Sequence, residues 1–269
     1  MLKIWGRNTS SNVQKVMWAI GELGLEHERV DIGGKFGGNK EPAYLALNPN
    51  GLVPTLQDGD LTLWESNSIV RYLAARYGAG KLEPADWKSR ALASQWMDWQ
   101  LSVVGPAISG AFWGLIRTPP EQRDQAAIAT SQAKTTEAMK IFDAALAKEP
   151  YAAGAAFSMG DIPVGIMAYR FRQLVPQRPK LEHFERWYAA IAAESRIAPS
   201  MTQPATPRFL ACATISSPMM ALVRSPPAST TITSPGSARS SALCTIRLSP
   251  GRVFTVSAGP ASAPLPCIG

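Results

Sequence analysis

Up to about Glu194 the apolar positions follow a period near two or near 3.6, and beyond it they follow neither. Leu2-Lys3-Ile4-Trp5 reads as a short strand, and Gly6 to Ser11 as a loop of turn and capping residues. From about Asn12 to Leu23, Val13, Val16, Met17, Ile20 and Leu23 share one helical face, with Gly24 as the stop. His27 to Ile32 predicts a second strand, parallel to the first through a right-handed crossover. A glycine-rich loop over 33–39 and a short helix from Pro42 to Leu47 follow. Thr55–Gln57 and Leu61–Trp64 alternate on either side of Asp58-Gly59, a strong hairpin signal. Ser66 then opens a helix over Asn67 to Tyr77, with Ile69, Val70, Leu73 and Tyr77 at helical spacing. The order is β-α-β-α-β-β-α.

Gly78 to Ala85 reads as a linker, and from Asp86 the pattern is helical almost throughout. Trp87 to Ile116 is one long aromatic-rich stretch that Pro106 should break or kink. Pro119-Pro120 to Ala147 predicts a second helix whose apolar face includes Ala126, Ile128, Ala133, Met139, Phe142 and Leu146. Ser158-x-x-Asp161 has capping-box spacing, with Phe157 as a staple residue, ahead of a helix to Val175. Leu181 to Ala193 is the last, carrying Phe184, Trp187, Tyr188 and Ile191. The fold class is thus α+β, a thioredoxin-like domain over 1–79 followed by an all-α domain over 86–194.

Residues 195–269 carry eleven of the chain's 22 prolines and no acid. Such a segment buries too little apolar surface to offset its chain entropy, so an unfolded or out-of-frame tail is expected. Charge changes the picture only through this tail. The chain's +7 falls almost wholly there, because residues 1–194 hold 21 Lys+Arg and all 20 acids. Six scattered arginines without aromatic interleaving make a weak nucleic-acid footprint, so no nucleic-acid partner is expected. Cys212, Cys244 and Cys267 also lie in the tail, which leaves 1–194 without a disulfide or a catalytic thiol. The N-terminus has no signal-like architecture and no run looks long enough to span a bilayer, so a cytoplasmic location without membrane contact is expected.

The chemistry concentrates between Asn48 and Ile69. Asn48-Pro49-Asn50-Gly51 is a turn cluster, and Val53-Pro54 enters the strand at a position suited to a cis peptide. A backbone edge at Val53, the acid Glu65 and the helix start at Ser66 fall close together. Such a set pairs with an extended peptide as an added strand and holds a carboxylate at the helix N-terminus.

The N-P-x-G-x-V-P run followed by E-S resembles the glutathione-binding half of soluble glutathione S-transferases, and the likeness runs from Met1 to about Glu194. The resemblance implies that Val53, before Pro54, pairs its backbone with the cysteinyl part of glutathione, and that Glu65 and Ser66 hold the γ-glutamyl end. It places Asn39 and Lys40 near the glycine carboxylate, with a solvated loop lysine as the alternative for Lys40. Asp98 resembles acids that reach across a dimer interface, or else it sits on a solvated face. No tyrosine lies between Met1 and Asn12, and the loop Thr9-Ser10-Ser11-Asn12 is similar to serine-type theta, zeta and nu classes. Ser10 falls at the catalytic serine position with Asn12 as second donor, and Ser11 takes that place on a one-residue slip.

A free thiol has a pKa of about 8.5, and lowering it by about two units needs roughly 2.7 kcal/mol of preferential thiolate stabilisation. A hydroxyl donor at a helix start can supply that. Trp96, Met97, Trp99 and Trp113 either line an electrophile pocket or belong to the core. The implied reaction is attack of the glutathione thiolate on a small hydrophobic electrophile by a homodimer, with glutathione as co-substrate and no metal. A glutathione-dependent disulfide reductase or peroxidase on the same fold, or a non-catalytic copy, is the alternative.

Overall fold

The computed structural model describes residues 1–194. Four strands, β1 (Leu2–Trp5), β2 (His27–Val30), β3 (Thr55–Asp58) and β4 (Leu61–Trp64), form one sheet in the order β2-β1-β3-β4. β1 and β2 are parallel, pairing Leu2 with His27 through Trp5 with Val30, while β1–β3 and β3–β4 are antiparallel. The hairpin is one residue tighter than the sequence implies: Asp58 pairs with Leu61, and Gly59 turns at φ 60°. β2 stops at Val30, two residues short of the expectation, because the chain then enters Gly33 and Gly34 at positive φ.

Helix α1 (Ser11–Leu23) starts one residue earlier than predicted and ends on Gly24 in the left-handed region. Its apolar face is wider than the sequence pattern, since Lys15, Trp18 and Ala19 are buried with Val13, Val16 and Ile20. The reason is position: α1 packs on α3 (Ser66–Tyr77) on one side and on α7 (Asp161–Leu174) on the other. The short α2 (Pro42–Leu45) precedes β3, and Tyr44 closes over the loop with its hydroxyl on the Leu52 carbonyl at 2.6 Å. Tyr77, expected on the buried face of α3, stands partly exposed and hydrogen-bonds Asp58.

The segment taken for a linker is docked. Leu82 is buried and its carbonyl accepts from the Met159 N–H at 2.8 Å. From α4 (Trp87–Trp99) the chain stays helical through a π turn at Gln100–Val104, then α5 (Gly105–Phe112), then a second π turn at Trp113–Arg117. Pro106 neither breaks nor ends the helix. The wider turn directly before it accommodates the missing N–H. By length and composition Trp87–Arg117 passes as a membrane-crossing stretch, which corrects the expectation that none is long enough. It also carries Lys88, Arg90 and Asp98, and it buries Ala93, Trp96, Met97, Val104, Ile108 and Ala111 in the helical core.

α6 (Gln125–Leu146) begins six residues after Pro119, because the Asp124 carboxylate caps the Ala127 N–H at 2.9 Å. Ala126 and Ala133 are exposed, and the buried face runs through Ile128, Ser131, Thr135, Ala138, Met139, Phe142 and Leu146. At the start of α7 the Asp161 carboxylate reaches back to the Ser158 N–H at 2.9 Å, as the box spacing requires. The Ser158 hydroxyl, however, serves Gly160 and Asp161 itself, and Phe157 stacks on Trp18 of α1. Asp161 further accepts from Ala152 N–H and Trp187 Nε1, each at 2.8 Å. α8 (Glu182–Glu194) closes the bundle with Phe184, Trp187 and Ile191 buried. Residues 195–269, for which an unfolded tail is expected, lie outside the described residues.

Candidate active site

The loop between β1 and α1 delivers three polar side chains to the seam between the sheet half and the helical half. Gly6, at the end of β1, has φ 154°, and a Cβ there would meet Val13 Cγ2 at 2.4 Å. Only glycine lets the loop pass that close beneath α1. Ser10 is the N-cap of α1 in extended conformation, but its hydroxyl makes no capping hydrogen bond, so that group is left for another partner. Ser11, Asn12 and Lys15 follow on one face and line a cavity of about 410 Å³. Across it stand Gln100, Leu101, Pro106, Phe112 and Trp113 from the long helical stretch, with Met167 and Arg170 from α7.

The loop before β3 is not part of that lining, but it approaches the β1–α1 loop, where a Cβ on Gly6 would meet Val53 Cβ at 3.3 Å. The Val53–Pro54 bond is cis, as the turn-then-proline pattern anticipates. Val53 lies outside the β1–β3 ladder, and no backbone hydrogen bond from another described residue reaches it. Its loop is held from three sides. Asn39 Nδ2 donates to the Gly51 carbonyl at 2.7 Å, Lys40 Nζ to the Asn50 carbonyl at 3.1 Å, and Asn48 Nδ2 to the Leu52 carbonyl at 2.9 Å. Asn39 and Lys40 therefore do sit beside Val53, with their polar ends tied to that loop.

Glu65 is the one non-glycine residue at positive φ among the described residues, at 73°. Such a conformation costs on the order of 1 kcal/mol and clusters at binding sites. It hands the chain from β4 directly into α3 with Ser66 at the helix start. Ser66 is only 5% exposed. Asn67 behind it donates to the Met97 carbonyl at 2.7 Å and ties α3 to α4. Asp98, next in the chain after Met97, pairs with Arg71 of α3, whose guanidinium also donates to the Ser94 hydroxyl and carbonyl.

The sequence reading passed over Lys15. It is fully buried, and its ammonium donates to Gln100 Oε1 at 2.7 Å and Asn67 Oδ1 at 3.2 Å. Burial first, then the positive charge of Arg170, push it down to about 7, while Glu65 acts the other way. Arg170 was missed as well. Burial and Arg117 bring it down to about 10. The signal for Lys15 was its place four residues after Ser11, which sets both on one side of α1. Of the candidate pocket residues, Trp96 and Met97 are buried, and Trp99 stacks on Phe142 against the core. Trp113, 60% exposed, stands at the cavity. Among the described residues no group of His, Cys, Asp and Glu is placed to hold a metal.

A small mixed sheet with a cis-proline loop, joined to a helical bundle along a polar seam, defines a thioredoxin-like glutathione-binding architecture. Residues 1–75 match the family model of the glutathione S-transferase N-terminal domain, and residues 104–194 that of the C-terminal domain. The chain belongs to the glutathione S-transferase family. It is 44% identical over 190 residues to glutathione S-transferase GstB of Escherichia coli strain K12, covering 70% of this chain and 91% of that one. It is 32% identical over 200 residues to glutathione S-transferase 3 of Zea mays, covering 71% and 89%. Among solved structures it resembles the theta class enzyme of Xanthomonas axonopodis pv. citri with glutathione bound. That likeness has a TM-score of 0.70 and 46% identity, over 76% of this chain and 97% of that one.

Proposed function

We propose that the protein conjugates the glutathione thiolate to a small electrophile, with a glutathione-binding domain over 1–79 and a helical domain over 86–194. The observation that carries this reading is the β1–α1 loop, which puts Ser11 and Asn12 on the 410 Å³ cavity and Gly6 against the Val53 side chain, whose backbone has no partner among the described residues. Glutathione laid along Val53 would place its γ-glutamyl end at Glu65 and Ser66 and its glycine end toward Asn39 and Lys40. Its sulfur then meets the start of α1. Ser10 is the first donor on this reading, since its hydroxyl is free of capping, with Asn12 as second donor and Ser11 as the competitor. Donor and helix dipole favour the thiolate, and the cavity orients the electrophile against it.

The enzyme is read as cytoplasmic, without a metal, a nucleic-acid partner or a membrane. A homodimer would use the exposed Leu61 and Trp64 of the edge strand β4 with Leu92 of α4. Light scattering of the full chain reads the stoichiometry.

The test of activity is binding of residues 1–269 to immobilised glutathione together with turnover of 1-chloro-2,4-dinitrobenzene. Retention with conjugation supports the reading. Faster turnover of a mixed disulfide than of the aryl halide would replace it with a disulfide reductase, and folded protein that ignores glutathione would refute it.

A further inference from the structure

The cavity beside Ser11 is lined by cations with no partner carboxylate. Lys15 reaches only the neutral amide oxygens of Gln100 and Asn67. Arg170, also in the lining, lies over the Phe112 ring at 4.3 Å, and Arg117 lies over the same ring at 5.5 Å. Among the described residues neither arginine makes an ion pair or a side-chain hydrogen bond, and Arg7 close by makes none either. Arg117 pulls down both Arg7 and Arg170, and Arg170 pulls down Lys15. The one carboxylate whose field reaches Lys15 is Glu65, which the transferase reading assigns to the ammonium of glutathione. Partly buried like charges that repel each other destabilise a fold unless something of opposite sign enters. The exposed Trp113 indole in the same lining is a seat for a planar ring. The remaining walls, Leu101 and Trp113, are apolar.

We infer that this cavity selects an electrophile bearing an anionic group, with Arg170 holding the anion and Trp113 packing its ring. The inference rests on the transferase reading and names the substrate class of that site. An electrophile carrying a carboxylate would place it at Arg170 and its leaving group toward the start of α1. Displacement forms a carbon–sulfur bond, releases the leaving group as halide with its bonding pair, and leaves the thiol proton to solvent.

The test compares 4-chloro-3,5-dinitrobenzoate with its carboxamide, each relative to its own uncatalysed rate with glutathione, in the full chain and in Arg170→Met. One charge-assisted hydrogen bond corresponds to roughly a tenfold preference. The carboxylate-to-carboxamide ratio of kcat/KM should therefore exceed ten in the native protein and fall about tenfold in the variant. A ratio near one, or one that Arg170→Met leaves unchanged, overturns the inference while leaving the transferase reading intact. Calorimetry with the two preformed glutathione conjugates reads the same cavity without turnover. If neither electrophile reacts but the carboxylate conjugate binds about tenfold tighter and loses that margin in Arg170→Met, the transferase reading fails and the anion site stands. Equal binding of the two conjugates overturns it. A melting curve of the variant identifies a folding defect, and in that case Arg170→Gln, which keeps a polar side chain there, carries the same comparison with the same criteria.

Discussion

Lys15 gives the sharpest quantitative expectation. Its ammonium is fully buried and pushed down to about 7 from an ordinary 10.5, chiefly by loss of water and then by Arg170. Between those two values the unfolded chain binds a proton that the folded chain does not, so stability rises with pH across the window. The gain is lost as pH falls through about 7, where both states carry the charge. The limiting slope is about 1.4 kcal/mol per pH unit, which gives about 2 kcal/mol between pH 7.5 and 9.5. For a folded region of this size that is a rise of roughly 4–8 °C in Tm. Lys15→Met removes the titrating group but orphans Gln100 Oε1 and Asn67 Oδ1, costing about 1–3 kcal/mol at any pH. The margin of native over variant should therefore widen by about 2 kcal/mol from pH 7.5 to 9.5. Urea unfolding of both proteins at intervals across that range is the assay. Tyrosines that begin to titrate near the upper end are present in both chains and cancel in the difference. Parallel curves would refute the reasoning, because they would mean that Lys15 keeps its charge inside the fold.

Ser10→Ala should lower kcat/KM about a hundredfold and raise the pKa of the bound glutathione thiol, read from thiolate absorbance. The same loss in Ser11→Ala alone would move the donor role by one residue. Asp161→Ala removes the acceptor of four hydrogen bonds and should cost roughly 3 kcal/mol or more in urea unfolding. Asp161 is raised to about 6 by burial, so in the native protein stability should fall as pH rises from about 4 to 6, and the variant should lack that fall. Gly6→Ala puts a methyl group 2.4 Å from Val13 Cγ2 and should weaken glutathione retention at least as much as stability, since the displaced α1 carries Ser11 and Asn12.

How much of this was legible depends on sequence separation. The hairpin, the cis proline, the stop at Gly24 and the Ser158–Asp161 bond are all fixed by residues within a few positions of each other, and the pattern of turn and capping residues predicts them. The Asp161–Trp187 bond spans 26 residues and the Lys15–Gln100 bond 85, and no spacing rule announces either. A lysine inside a helical pattern reads as solvated until the helix proves to be covered on both sides. That is why the 48–69 stretch, proposed to face glutathione, was visible, while Arg170 on α7 was not. Asp98 shows the same limit from the other direction. Its resemblance to an acid that reaches across a dimer rests on position alone, whereas the fold brings Arg71, 27 residues earlier in the chain, against its carboxylate. A ligand ammonium in a second copy would have to compete with a guanidinium that is already there. Arg71→Ala therefore separates the two roles. If Asp98 serves only its own chain, the change leaves glutathione affinity in place and loosens the α3–α4 contact. If it reaches across, freeing it tightens glutathione binding, and Asp98→Asn abolishes that gain.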